Sequence, residues 1–418
     1  MIAARKGFRA RCRQAACRSC GRQGLQAVLD LGEMPLSDGL LSRQQLAGPE
    51  PHYPLELAFC GDCSLVQILH TVAPDLLFGE DYPYYSSFSQ SLLEHSRENA
   101  LSLIASRGLS RASFVVEVAS NDGYLLKNFV ERGIPALGID PAPGPVAAAR
   151  RIGVPTLQEF FGIDLARRLR AEGKRADVII ANNVFAHVAD TNGFVEALRV
   201  LLKEAGVAVI EVPYVRDLVD KCEFDTIYHE HLCYFSVTAV DRLVRRSGLY
   251  LNKVERLSIH GGSMRLYLEP RENPDESVTG LLEQERRDGV GRLEYYRGFG
   301  GRVRSIRREL KAMLRGLKRR GRSIAAYGAA AKGTILLNYV AAGTDLIDFV
   351  VDRNIHKQGK YMPGVHIPIC EPERIFRDMP DYVLLLPWNF KDEILQQCDT
   401  YRRRGGRFII PIPRPEVV

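Results

Sequence analysis

Two Cys-x-x-Cys pairs, Cys17-Arg18-Ser19-Cys20 and Cys60-Gly61-Asp62-Cys63, place the strongest constraint on how this chain folds. Each such turn offers two thiolates to one ion, and two turns complete the closed tetrahedral shell of a structural zinc site. Redox chemistry would need one pair, not two. The stretch between the pairs is longer than in a typical zinc ribbon, so strands are expected to fill it. Gly21 and Gly61 stand at the turns. Four ligands leave no open coordination position, so this zinc is not expected to catalyse and a zinc hydrolase is the least favoured reading. The other five of the nine cysteines, Cys12 among them, are scattered. That pattern suits metal binding in a reducing, cytoplasmic compartment, not a disulfide scaffold.

A chain of 418 residues that is 46% hydrophobic has room for two or three cores. Its net charge of +7 is mild and suits an anionic substrate as well as it suits nucleic acid. The arginines of Pro270 to Arg322 come without an aromatic stacking pattern and read as a solvated face, so no nucleic-acid partner is expected. No apolar run is long enough to span a membrane. Met1 to Cys17 is Arg-rich without the apolar core of a secretory signal, and reads as a flexible leader. Asp30 to Gly39 reads as a loop by composition. In Asp81-Tyr82-Pro83-Tyr84-Tyr85-Ser86-Ser87, three tyrosines in four positions either line a pocket or pack a domain junction.

Phe114-Val115-Val116-Glu117-Val118 is a buried-strand pattern, and Ala119-Ser120-Asn121-Asp122-Gly123 is a small-residue turn. Tyr124 to Arg132 reads as a helix. Strand, turn and helix in that order make a nucleotide site at the carboxyl edge of a sheet. The next strand ends at Asp140, about 18 positions beyond Asp122, which suits hydrogen bonding to ribose hydroxyls. Further strands, Val178 to Ala181 and Val207 to Val212, alternate with helical patterns and imply a mainly parallel sheet. Asn182-Asn183-Val184-Phe185-Ala186-His187 follows a strand's carboxyl end, which favours a functional place for His187.

Tyr228-His229-Glu230-His231-Leu232 puts a phenol, two imidazoles and a carboxylate side by side. These are the parts that take a proton from a weak carbon acid at neutral pH. The pattern is not His-Glu-x-x-His, and its histidines share a face only if the segment is extended.

Near the carboxyl end, Ser258 to Arg265 is a glycine turn entering a strand. It either holds an anion through backbone amides and Arg265 or is a plain hairpin turn. Pro270 to Arg322 is charged and helical, with Leu281, Leu282, Ile306, Leu310, Met313, Leu314 and Leu317 as its apolar stripe. Ser323 to Tyr327 is a strand, followed by Gly328-Ala329-Ala330-Ala331-Lys332-Gly333-Thr334 and a helix. Small residues there let the backbone approach a pyrophosphate, and Lys332 adds charge. A second strand ends in Asp352.

Taken together, Glu117 to Gly123, Asn183 to His187 and Tyr228 to Leu232 resemble the nucleotide-sugar C-methyltransferases. These act on nucleotide-linked ketosugars, as do the dTDP-ketosugar 3-C-methyltransferases of antibiotic pathways. The resemblance covers nearly the whole chain after Cys17. It implies an α/β fold with a class I S-adenosylmethionine-dependent, Rossmann-like methyltransferase domain. That domain would lie between an N-terminal zinc-binding domain and a C-terminal Rossmann-like α/β domain. The expected spans are 1–80 with the leader, 81–270, and 271–418.

The same resemblance implies that Glu117, Ala119, Asn121, Asp122 and Gly123 hold the amino acid part of S-adenosylmethionine. Asp140 would hold its ribose, and Asn182 and Asn183 complete the cofactor set. Tyr228, Glu230 and His231 match active-site positions, with His187 a further candidate. One of Tyr82, Tyr84 and Tyr85 should reach the sugar. Gly328, Ala330, Lys332 and Gly333, with Arg265, are the substrate-binding candidates for the nucleoside diphosphate. The expected reaction removes a proton from carbon 3 of a 4-ketosugar through Tyr228 or His231, with Glu230 orienting or charging the neighbouring imidazole. An O- or N-methyltransferase and a non-catalytic zinc and nucleotide-binding module are the competing readings. A monomer or weak homo-oligomer is expected.

Overall fold

A computed structural model of the chain describes residues 2–77 and 85–418. Three sheets organise it. The strands in chain order are β1 (Gln26–Pro35), β2 (His52–Phe59), β3 (Val66–Ile68), β4 (Val115–Val118), β5 (Ala136–Ile139), β6 (Thr156–Leu157), β7 (Ala176–Asn182) and β8 (Leu202–Pro213). They continue with β9 (Cys233–Tyr234), β10 (Tyr250–Leu257), β11 (Ser263–Glu269), β12 (Ile324–Tyr327), β13 (Val350–Val351), β14 (Ile369–Cys370), β15 (Tyr382–Leu385), β16 (Arg407–Ile410) and β17 (Glu416–Val417).

The first sheet has the order β1-β2-β3-β9 and is antiparallel throughout. Residues 30–35, expected as loop, belong to β1. Leu29, Leu31 and Met34 are buried, and Gly32 at φ +85° lets the strand bend where its register with β2 shifts. The residues expected as a flexible leader instead form a helix, Ile2–Gln14. Phe8 and Cys12, one turn apart, bury themselves against the sheet, and Arg11 donates to Glu56 of β2.

The second sheet has the order β10-β11-β8-β7-β4-β5-β6. From β8 to β6 it is parallel, while β11 runs antiparallel to β8 and β10. The parallel strands are near-continuous apolar runs because helices cover both faces. The helix expected over Tyr124 to Arg132 shortens to one turn, Lys127–Val130, after the left-handed Gly123.

The third sheet, β14-β13-β12-β15-β16-β17, is parallel except for β17. Long helices Glu276–Asp288 and Phe299–Arg319 join it to the second. Phe299–Arg319 buries Ile306, Leu310, Leu314 and Leu317 and leaves its arginines largely in solvent. Glu285 is fully buried. It accepts from the Tyr214 hydroxyl and from the backbone of Val237 and Thr238, which pins Glu276–Asp288 to the middle of the chain. Among the described residues, no helix is long and apolar enough to cross a membrane.

Candidate active site

Backbone turns bring the four paired cysteines together. Gly21 N–H donates to the Cys17 carbonyl and Ser64 N–H to the Cys60 carbonyl, both 2.9 Å. Gly21 and Ser64 hold these turns in left-handed geometry, at φ +72° and +66°. All four Sγ atoms lie within 4.8 Å of one another, with Cys17–Cys63 at 3.5 Å and Cys20–Cys60 at 3.6 Å. Tetrahedral zinc with Zn–S near 2.3 Å requires sulfurs about 3.8 Å apart, so the donors fit that ion. The knuckles dock on the second sheet's helices. Arg246 and Asn192 donate to the Ser19 carbonyl, and Arg242 to that of Asp62.

At the carboxyl edge of the second sheet lies a cavity of about 280 Å³. Ala119, Asn121, Asp140, Asn182, Asn183 and His187 line it. Glu117, Asp122 and Gly123 are not among the residues that line it. Ala119, Asn121 and Asn183 adopt positive φ, unfavourable for residues with a Cβ, and such strain concentrates where a loop is shaped for a ligand. Asp140 accepts the N–H of Asn121 and of Ala142, both 2.9 Å. Glu117 Oε2, Asp122 Oδ1 and Asn182 Oδ1 are buried with no hydrogen-bond partner among the described residues. Burial, then the charges of Asp140 and Asp122, hold the Glu117 carboxyl well above its usual range. Orphaned acceptors on β4, the turn after it and the end of β7 fit a ligand carrying positive charge, as S-adenosylmethionine does. Phe160 and Phe161, not anticipated from sequence, also line the cavity and could flank an adenine.

The Tyr228–Leu232 stretch is a turn. His231 N–H donates to the Tyr228 carbonyl at 2.9 Å, and Leu232 N–H to that of Ala186 at 2.7 Å. The two histidines therefore part company. His229 faces the first sheet, near Tyr53 and His70, with Nε2 3.3 Å from the Pro54 carbonyl; burial brings it down to about 4. His231 instead stacks on Tyr228, ring centroids 4.0 Å apart. Nδ1 of His231 lies 2.9 Å from the Thr226 carbonyl, which accepts only, so Nδ1 carries the proton. The other nitrogen, Nε2, accepts from the Tyr228 hydroxyl at 2.9 Å.

Glu230 does not meet either imidazole as anticipated. Its Oε2 accepts from Ser37 Oγ at 2.7 Å. Burial first, then Asp38, push its carboxyl up to about 7. Ser37 and Asp38 were missed because they lie almost two hundred positions away in sequence; no spacing signal connects them to Glu230.

His187 joins the two halves. It lines the cavity, and its ring centroid is 4.8 Å from that of His231. Burial brings it down to about 4, so it is neutral at physiological pH.

The candidates for the nucleotide are dispersed. Tyr82 and Tyr84 lie outside the described residues. Tyr85 stacks on His356 of the third sheet's domain, centroids 5.2 Å apart. Lys332 donates to Asn389 Oδ1 at 3.0 Å and sits 5.0 Å above the Trp388 ring. Ala330 caps the helix Ala331–Val340. At Gly328 and Gly333 a Cβ would collide with Pro387 and Leu386, so these glycines let neighbouring chain approach. Arg265 is placed elsewhere, inside an ion network with Glu211 at 2.7 Å, Glu255 at 3.0 Å and His95 at 3.3 Å.

Comparison with known proteins agrees with this layout. Residues 17–78 match a zinc-binding domain family, 92–254 a methyltransferase domain, and 258–413 the C-methyltransferase C-terminal domain. The C-methyltransferase NovU of Streptomyces niveus is 34% identical over 405 residues, 96% of either chain. This chain belongs to the C-methyltransferase family. The C-methyltransferase also aligns at 26% identity, over 28% of its length, with 46% of a ubiquinone biosynthesis O-methyltransferase from Azorhizobium caulinodans. Among solved structures, the magnesium protoporphyrin IX methyltransferase of Synechocystis PCC 6803 is 13% identical. That alignment covers 42% of this C-methyltransferase and 78% of the other chain, at TM-score 0.33. The enzyme is thus an S-adenosylmethionine-dependent C-methyltransferase with a four-cysteine zinc site.

Proposed function

We propose that this enzyme methylates the carbon beside the ketone, carbon 3, of a nucleotide-linked 4-ketosugar. One juxtaposition supports the reading most: the Tyr228–His231 pair stands against His187, which lines the cofactor cavity. Carbon, unlike oxygen or nitrogen, has no lone pair to attack with until a base removes its proton, so a C-methyltransferase needs base and methyl donor side by side.

In the proposed step, Tyr228 Oη takes the proton from carbon 3 as its own proton passes to His231 Nε2. The imidazolium so formed keeps its Nδ1–H on the Thr226 carbonyl. Charge moves to the ketone oxygen, and Glu230, protonated below about pH 7, donates a hydrogen bond to it. When bound, S-adenosylmethionine supplies the electrophilic methyl group that the enolate carbon takes. Asp140 would hold its ribose, and the 119–123 loop its amino acid end.

The third sheet's domain would take the nucleoside diphosphate at Gly328–Gly333, with Lys332 as the counter-charge and Tyr85 at the sugar side. The proposed spans are 1–80, 81–270 and 271–418 for the zinc-binding, methyltransferase and nucleotide-sugar domains.

A thermal-shift screen tests this reading, with S-adenosylhomocysteine combined in turn with dTDP, UDP, GDP and CDP. Stabilisation by the homocysteine compound and by one diphosphate is expected. A shift with the former and none of the latter would remove the sugar nucleotide. With a turned-over ketosugar in hand, solvent deuterium should enter at carbon 3 without cofactor. Its failure to do so would remove the carbon-acid step.

A further inference from the structure

We infer that Asp38, carried by the zinc-binding domain, is a positioning residue for Glu230 and, through Lys357, ties that carboxyl to the glycine-rich loop of the third sheet's domain. The inference rests on the nucleotide-sugar reading given above, since it needs a diphosphate at that loop.

Two consecutive residues make the connection. Ser37 is 1% exposed; its hydroxyl donates to Glu230 at 2.7 Å, and its carbonyl accepts from Thr334 Oγ1 at 2.8 Å. Thr334 lies in the first turn of the helix that follows Gly328–Ala330. The next residue, Asp38, lies 3.7 Å from Lys357 Nζ. Lys357 is itself buried and donates to the Ala329 carbonyl at 2.7 Å. The tip beyond β1 is thus wedged between the catalytic carboxyl and the proposed diphosphate loop.

Charge gives the wedge a consequence. The ionisable groups facing Glu230 are Asp38 from this loop and Tyr234 from β9; Asp38 in turn faces Lys357. A carboxyl near a buried one makes the buried one harder to ionise, and Asp38 is half-buried beside the buried Glu230. Burial, then Asp38, holds the Glu230 carboxyl up, and Lys357, 3.7 Å from Asp38, is the cation placed to screen that neighbour. A diphosphate arriving at Ala329–Lys332 draws on Lys357 and leaves Asp38 less screened, so Glu230 holds its proton more firmly. Nucleotide binding then readies the donor that the developing enolate oxygen requires. The zinc contributes from a distance, by holding the domain that carries Asp38.

The test is a carbon-13 NMR titration of Glu-labelled, zinc-loaded protein, with Glu230→Gln assigning the resonance. In Asp38→Asn the Glu230 midpoint should fall by about one unit or more. In Ser37→Ala, which removes a hydrogen bond to the charged form, it should rise. Unchanged zinc content and S-adenosylhomocysteine affinity exclude a folding defect. Saturating dTDP, or whichever of UDP, GDP and CDP binds, should raise the wild-type midpoint but not that of Asp38→Asn. An unmoved midpoint in Asp38→Asn overturns the inference, as does a fall in Ser37→Ala. If no diphosphate binds, the nucleotide reading fails, while the two variants still decide whether Asp38 governs Glu230.

Discussion

Asp140 and Asp352 make the same pair of contacts in two different sheets. Each follows the strand next to the one that feeds the small-residue turn. One oxygen accepts an N–H from that turn, Asn121 at 2.9 Å for Asp140 and Ala329 at 2.7 Å for Asp352. The other accepts an N–H two residues further on, from Ala142 at 2.9 Å and Asn354 at 2.7 Å. A carboxylate has about four lone-pair positions, so an acid held this way can still accept a sugar hydroxyl. The chain therefore carries two nucleotide-type acids, one for each proposed ligand.

That symmetry predicts separable losses. Asp140→Ala should weaken S-adenosylhomocysteine by about tenfold to a hundredfold, the worth of a hydrogen bond to a charged group, and spare the diphosphate. Asp352→Ala should do the reverse. Calorimetric titration of both ligands into both variants reads this directly. A loss of both ligands in either variant would mean that the acids hold the fold and not the ligands.

The Tyr228–His231 pair predicts a loss of chemistry without a loss of binding. Tyr228→Phe deletes the hydroxyl that bridges to Nε2, and His231→Asn deletes its acceptor. Each should lower kcat by about a hundredfold to ten-thousandfold, the range for a general base. Affinity for S-adenosylhomocysteine should stay at the wild-type value, since neither side chain lines the cavity. Wild-type turnover in both variants would take this pair out of the reaction.

Glu223 predicts a pH-dependent stability. It is buried, its Oε1 lacks a partner among the described residues, and burial pushes it up to about 7 against the opposing pull of Lys332 and Lys221. In the unfolded chain the same group titrates near 4.3. Between those values the folded protein holds a proton that the unfolded chain has released. Stability from this group is therefore present at low pH and lost as pH rises towards 7. Glu223→Gln should be more stable than wild type by about 1–3 kcal/mol at pH 8 and nearly equal at pH 4, by urea unfolding. A variant that is less stable at pH 8 would show that the charged form is the favoured one.

The zinc knuckles predict a remote effect on turnover. Cys60→Ser should lose zinc and much of the first domain's order, since structural sites contribute folding free energy directly. Turnover should fall with it, because Ser37 meets Glu230 from that domain. Cofactor affinity should persist, because the cavity is built mainly by residues 118–194. Metal analysis, S-adenosylhomocysteine titration and turnover on one preparation check all three.

Local chemistry was legible in the sequence; contacts across the chain were not. The paired cysteines, the turn after β4 and the acid Asp140 announce themselves within short windows, because metal knuckles and strand–turn–helix sites are local devices. The Tyr228–His231 hydrogen bond spans only three positions, so both residues stand in one short motif. The neighbour of Glu230 is not legible, because its partner Ser37 comes from the first sheet's domain and periodicity carries no trace of that meeting. Gly and Pro suggested a loop over residues 30–39, although Leu29, Leu31 and Met34 drive β1 into the core. The N-terminal helix is hidden for a similar reason: its arginines outweigh the apolar contact that Phe8 and Cys12 make.

Arg265 separates a packing role from a binding one. Its guanidinium joins Glu211, Glu255 and His95, and both Arg265 and Glu211 are buried. Removing one partner of a buried ion pair leaves the other charged and poorly paired, at a cost of about 3–5 kcal/mol. Arg265→Ala should therefore lower the urea midpoint sharply while the folded fraction binds diphosphate with wild-type affinity. The opposite pattern, intact stability with diphosphate affinity lost, would return Arg265 to the nucleotide site and place that site against β11 instead of the Gly328–Gly333 loop. Denaturant titration and diphosphate calorimetry on the same variant distinguish the two.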